Sequence, residues 1–136
     1  MLKSITKLFV LVMLVSLMTS CGGGEEKGVY FVNLSDGDTV TSPFKVEMGV
    51  TGMEVEPAGA VNEGKGHHHL IIDGSWLEKG EVVPADDKNI HYGGGQTVTE
   101  DITLAPGTHT LTLQFADGFH ASYGKEMSKT ITITVE

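Results

Sequence analysis

Thr108-His109-Thr110-Leu111-Thr112-Leu113-Gln114-Phe115 alternates in character from one residue to the next. Successive side chains of a strand point to opposite faces, so Leu111, Leu113 and Phe115 line a buried face and Thr110, Thr112 and Gln114 the other. His109 shares the leucine register, which puts it on the core-facing side near the strand's start, where a buried imidazole needs a partner. Just upstream, Ala105-Pro106-Gly107 reads as a turn with one fixed and one positive φ, joining this strand to another over Glu100 to Leu104. Downstream, Ile131, Ile133 and Val135 alternate with threonines in a closing strand, Thr130 to Val135. Nearer the N-terminus, Val29 to Leu34, Phe44 to Val50 and His69 to Asp73 read as further strands, with Ser35-Asp36-Gly37-Asp38 as a turn. The unbroken apolar run Leu70-Ile71-Ile72 predicts a strand central in its sheet. No stretch carries a convincing amphipathic helical period and no segment repeats. Short strands separated by turn residues at intervals of about ten predict an all-β fold, an immunoglobulin-like β-sandwich of about seven strands over residues 29–136.

The first 28 residues follow different rules. Lys3 and Lys7 precede an apolar run from Leu8 to Leu17 that is short for a membrane span and suits a signal peptide over residues 1–20. Leu17-Met18-Thr19-Ser20-Cys21 resembles the lipobox of bacterial lipoproteins, with Met18 where a branched aliphatic residue is usual, and Cys21 is the only cysteine of the chain. Acylation of Cys21 would place two or more chains in a membrane, enough for firm anchoring. Gly22 rather than Asp after the cysteine favours the outer membrane by the same resemblance, with the domain facing the periplasm or the outside. Residues 21–28, with Gly22-Gly23-Gly24-Glu25-Glu26-Lys27-Gly28, read as lipidated cysteine plus flexible tether. Cleavage after Ser20 removes two of nine lysines and no acid, leaving seven lysines against eighteen acidic residues, a formal charge of −11. Such a surface argues against nucleic acid as a partner. With its one cysteine acylated, the domain has no internal disulfide and relies on its core.

All six histidines, His67, His68, His69, His91, His109 and His120, fall between positions 67 and 120. On a strand, His67 and His69 project together with Cβ atoms about 7 Å apart, while His68 points the other way. Two imidazoles at that spacing plus a third from a neighbouring segment make an open tri-histidine arrangement that suits zinc or copper(II). Met53 and Met127 are possible soft ligands for copper(I), though methionine is more often core. His109 and His120 lie at opposite ends of an extended stretch, so one site plus one or two structural histidines is expected.

Gly52-Met53, Pro57-Ala58-Gly59, Gly66-His67-His68-His69-Leu70-Ile71-Ile72-Asp73, His91-Tyr92-Gly93-Gly94-Gly95-Gln96-Thr97, Pro106 to Gly118, His120 and Ser122-Tyr123-Gly124 together resemble domain-of-unknown-function family 4399, over about residues 45–136. The resemblance implies a small exported bacterial domain in which all six histidines belong to the family pattern. It supplies no activity, and Thr108 stands where the family commonly has lysine. Three functions follow as expectations. The first is an envelope lipoprotein that buffers or delivers copper or zinc. The second is a structural or adhesive β-sandwich whose histidines form a hydrogen-bond network, with Trp76 and Tyr92 as contact residues if exposed and an envelope protein or glycan as partner. The third, a metal-dependent hydrolase using Asp73, Asp117 or Glu63 as base, is disfavoured because the chain lacks a nucleophile elbow, a paired-carboxylate spacing and an HExxH helix.

Overall fold

A computed structural model describes residues 26–136; the signal peptide, Cys21 and most of the tether lie outside the described residues. The fold is all-β, with eight strands and one short 3₁₀ turn among the described residues. The strands are β1 Gly28–Phe31, β2 Thr39–Val40, β3 Met48–Thr51, β4 Glu54–Val55, β5 Lys65–Ile72, β6 Asn89–His91, β7 Gly107–Ala116 and β8 Ser128–Val135. The main sheet runs β2-β8-β7-β5-β4, with β6 also pairing β5, and β1 and β3 form a separate two-stranded sheet.

The alternating stretch is the centre of this sheet. Along β7, Leu111, Leu113 and Phe115 are fully buried on one face and meet His68, Leu70 and Ile72 of β5 and Ile131 of β8 across the ladder. A second layer closes the core from the other side, with Val29 of β1, Met48 of β3, and Val46 and Ile102 packed into the same apolar cluster. Val46 and Ile102 lie in extended segments joined by Phe44–Ile102 and Glu47–Val98 bridges. The result is sandwich-like. Each large core side chain contributes about 1.5–3 kcal/mol by leaving water, which is why these positions tolerate little change.

Strand β8 keeps the simple alternation, with Ile131, Ile133 and Val135 buried and the intervening threonines exposed. Strand β7 departs from it, because Thr112, Gln114 and Ala116 on its second face are buried as well. The polar side chains there tie loops over the sheet. Thr112 Oγ1 donates to the Gly74 carbonyl (3.0 Å) and the Gln114 amide accepts from Leu77 N–H (3.1 Å) while donating to the carbonyls of Gly124 (3.1 Å) and Met127 (3.2 Å). Alternation shows which residues face the core but not that a second layer of loops covers the reverse side.

Strand β5 is central, as its apolar run predicts, but begins at Lys65 rather than His69 and takes in the whole histidine triplet. Its free edge is shared: the Gly66 carbonyl accepts from Glu56 N–H beside β4, and the His68 carbonyl accepts from Tyr92 N–H beside β6. Carbonyls two residues apart point to the same edge, so β4 and β6 are stacked end to end along it. Eight strands are present among the described residues where about seven were expected, though not all at the expected places. Residues 100–104 contribute a single bridge at Ile102, and β2, β4 and β6 are two or three residues long, too short to show a period.

At the far end of β7, His109 donates from Nδ1 to Asp73 Oδ2 (2.9 Å) and from Nε2 to the Ala105 carbonyl (2.8 Å). Both nitrogens face acceptors, which favours the protonated ring, and its pKa is raised first by the Asp73 hydrogen bond and then by the carbonyl. Burial would raise the pKa of Asp73, but the bonds from His109 and Thr110 outweigh it and hold the carboxyl below its ordinary range. The His109 contribution is therefore complete below pH ~6.5 and lost as pH rises through its raised folded value. His109→Gln is expected to lower stability by about 1 kcal/mol at pH 5.5, reduced from the buried-pair value because Asp73 is partly exposed, and by much less at pH 9. Thermal melts of both proteins at the two pH values check this; an equal difference at both would refute it.

Candidate metal centre

The reverse face of β5, away from the apolar core, carries His67 and His69, both fully buried. Their partners across the β7 ladder are Ala116 and Gln114. Past Ala116 the chain turns back sharply: Asp117 Oδ1 accepts from Phe119 N–H (2.8 Å) and Ala121 N–H (3.0 Å), and Asp117 N–H donates to the Ala121 carbonyl. This turn puts His120 in the left-handed region at φ 66° and lays its ring over the start of β5. Gly118, inside the turn, backs onto the Ala60 carbonyl so closely that a β-carbon would overlap it, which keeps the 56–60 loop against the site.

Three ring nitrogens converge as a result. His67 Nε2 is 2.9 Å and His69 Nε2 3.2 Å from His120 Nδ1, and the three ligand atoms lie within 4.8 Å of one another. The His67 and His69 rings are 4.6 Å apart. Burial, then the charges of His120 and His91, lower the His67 pKa to about 4 against the opposing pull of Asp117. Burial and the neighbouring imidazoles lower His69 to about 2, and burial followed by His91 lowers His120. All three are neutral at pH 7, the form in which imidazole offers a lone pair to a metal.

His91 borders the cluster without joining it. It stands opposite His69 in the β5–β6 ladder, its ring 4.5 Å from those of His69 and His120, but Nε2 donates to the Pro84 carbonyl (2.7 Å). His68 points into the core, edge-on to Phe115 at 5.0 Å, and burial lowers its pKa to about 4. His109, at the other end of β7, is held by Asp73 and the Ala105 carbonyl and is not brought into the cluster. Met127 is a core residue, and Met53 packs at the core's margin and lines a cleft with Glu54, Glu63 and Lys65; neither is placed in the cluster. Tyr92 is buried in the core, and burial pushes its hydroxyl up to about 12, while Trp76 is half-buried beneath Lys125 at 5.7 Å. Phe119, next to His120 in the chain, is exposed.

Residues 46–136 match the family described as Domain of unknown function (DUF4399). The chain belongs to that family. The cluster of this DUF4399 domain, His67, His69 and His120, lies wholly within the matched residues. Among solved structures, the X-ray structure of the endo-beta-1,4-mannanase from Thermotoga petrophila is similar with a TM-score of 0.50 at 14% identity, over 86% of this chain and 21% of that one. The chain thus spans about a fifth of that protein's length, and the likeness is one of fold alone. No curated protein matches the chain.

Neither ring nitrogen of His68 has a partner. A buried polar atom left unpaired costs about 1–3 kcal/mol. His68→Leu, of similar volume and apolar, is therefore expected to raise the unfolding free energy of the DUF4399 domain by about 1 kcal/mol or more. Denaturant unfolding with an unchanged slope is the measurement, and a lowered midpoint would count against the apolar description of this pocket.

Proposed function

We propose that this chain is an envelope lipoprotein whose β domain binds one divalent copper or zinc ion through Nε2 of His67, Nε2 of His69 and Nδ1 of His120, to buffer or deliver that metal outside the cytoplasm. The observation that carries the reading is the gathering of three imidazole nitrogens, two from fully buried rings and one from the partly buried His120, within 4.8 Å of one another. Two nitrogens bound to one tetrahedral zinc sit about 3.3 Å apart for bonds of about 2.0–2.1 Å. The contacts to His120, 2.9 and 3.2 Å, are near that spacing.

The competing reading, a hydrogen-bonded histidine cluster with no ion, draws on the same contacts. One observation weighs against it. His67 and His69 compete for the single Nδ1 of His120. A buried network satisfied at so few of its atoms is a poor substitute for apolar packing. An ion accepting all three lone pairs removes the competition. Lipid anchoring rests on Leu17 to Cys21 and the tether that follows.

Calorimetric titration of the chelator-stripped protein with zinc and with copper(II) is expected to give sub-micromolar binding near one equivalent. His120→Asn, chosen because asparagine tolerates a positive φ, should weaken it by more than about a hundredfold, beyond the cost of losing an outer-shell partner. Absence of binding by the wild-type protein overturns the metal reading. Cys21→Ser is expected to abolish incorporation of labelled palmitate and release the protein from membranes; retained label would sink the anchor.

A further inference from the structure

The three histidines leave a tetrahedral ion one ligand short, and the surroundings say what could supply the fourth. His91 is the nearest other imidazole; Nε2 donates to the Pro84 carbonyl, which leaves Nδ1 as its lone-pair donor, but His91 is not among the three residues whose ligand atoms lie within 4.8 Å of one another. Asp117 is the acidic group that acts on His67 and His120, but Oδ1 is occupied by two backbone N–H groups of its own turn. Gly93 instead presents bare backbone to the cluster. A methyl group at position 93 would lie 4.0 Å from His67 Nε2, 3.7 Å from His120 Cε1 and 3.2 Å from Ala58 Cβ. The space beside the nitrogens therefore has room for about one heavy atom where a side chain would otherwise stand. Its walls are fixed, because Ala58 N–H donates to the Gly93 carbonyl (2.7 Å) and Gly59 N–H to the Gly118 carbonyl (2.9 Å). His67 and His69 are fully buried, whereas His120, His91 and Gly93 are half-exposed, so this side is also the route in from solvent.

We infer that the centre is open: the metal held by His67, His69 and His120 keeps a fourth position on the Gly93 side for a small exogenous donor, water at rest and a small anion of the azide or cyanide class in exchange. The inference rests on the metal reading above and deepens it by naming the ligand class. Site shape sets that class, since a single carbon at position 93 already comes within 3.2 Å of Ala58 Cβ and 4.0 Å of His67 Nε2. An open three-histidine position is also what separates an ion available for exchange or chemistry from one closed by four protein ligands.

The test uses the full-length protein loaded with cobalt(II), whose visible spectrum reports its coordination, titrated with sodium azide. Wild type is expected to show a saturable one-to-one spectral change. Gly93→Ala has no backbone strain to overcome, since residue 93 is not in the left-handed region. It should take up cobalt with little change, while its azide dissociation constant rises about tenfold or more, the equivalent of about 1.4 kcal/mol. The double variant Ala58→Gly, Gly93→Ala relieves the 3.2 Å contact with Ala58 and should remain as weak for azide, which separates blockage of the position from a general distortion. Cobalt uptake with no azide response overturns the open position and leaves the metal reading standing. An azide response unaltered in both variants overturns its placement at Gly93. Failure of the wild-type protein to take up cobalt, zinc or copper overturns the metal reading and the open position together.

Discussion

Strand β5 lies between β7 on one edge and β4 and β6 on the other, with protein on both faces, so every side chain from Gly66 to Ile72 is removed from water. That double burial is the constraint on which the rest depends. A strand in this position is ordinarily a run of apolar residues. Here it carries three consecutive histidines, and the period of two splits them: His68 joins the apolar core, while His67 and His69 face the layer of loops on the reverse side. The loops are held down by Thr112 and Gln114, whose hydrogen bonds to the 74–77 and 124–127 segments replace hydration those residues would otherwise need. The tight Asp117 turn then completes the cluster from the same side as these loops. The site is thus a product of the second buried face rather than an addition to a finished sandwich.

Energetically the cluster is a concession. Leucine or valine at 67 and 69 would pack the same space without desolvating four ring nitrogens, of which the two Nδ1 atoms find no partner. Stability alone does not account for imidazoles at these positions. The depressed basicity of His67 and His69 follows from the same burial, and it converts a cost to folding into readiness for a Lewis acid, because the lone pairs stay free at neutral pH.

How far this was readable from sequence follows from the period of the signal. Alternation over Leu111 to Phe115 and Ile131 to Val135 marks the core faces, and Leu70-Ile71-Ile72 marks the central strand, because each pattern is a direct record of burial. The pairing of His67 with His69 and the opposite direction of His68 are equally local consequences of strand geometry. Two things were not local. The start of β5 at Lys65 was hidden because Gly66, His67 and His68 carry no apolar pattern, and only the flanking strands reveal that they are buried. The choice of His120 over His109 as third member depends on the Asp117 side chain capping two backbone N–H groups and turning the chain back over Ala116, a fold-back that residue spacing alone does not show. His109, sharing the leucine register, is an edge-of-core residue whose partner, Asp73, comes from the end of a different strand.

Charge distribution adds a last step. The three converging donors carry no charge of their own, and Asp117 acts on His67 and His120 from outside the ligand set, so a bound divalent ion would keep a net positive charge at the site. Hard cations that depend on carboxylate oxygens, calcium and magnesium, gain little from such a ligand set, whereas copper(II) and zinc form strong bonds to neutral imidazole. The compensating negative charge lies instead on the surface, where acidic residues outnumber lysines two to one. At that distance it is screened by salt and serves to gather cations rather than to select among them. Selectivity therefore falls to the nitrogens, and the retained positive charge makes a small anion, rather than a neutral molecule, the better occupant of any position the protein leaves open.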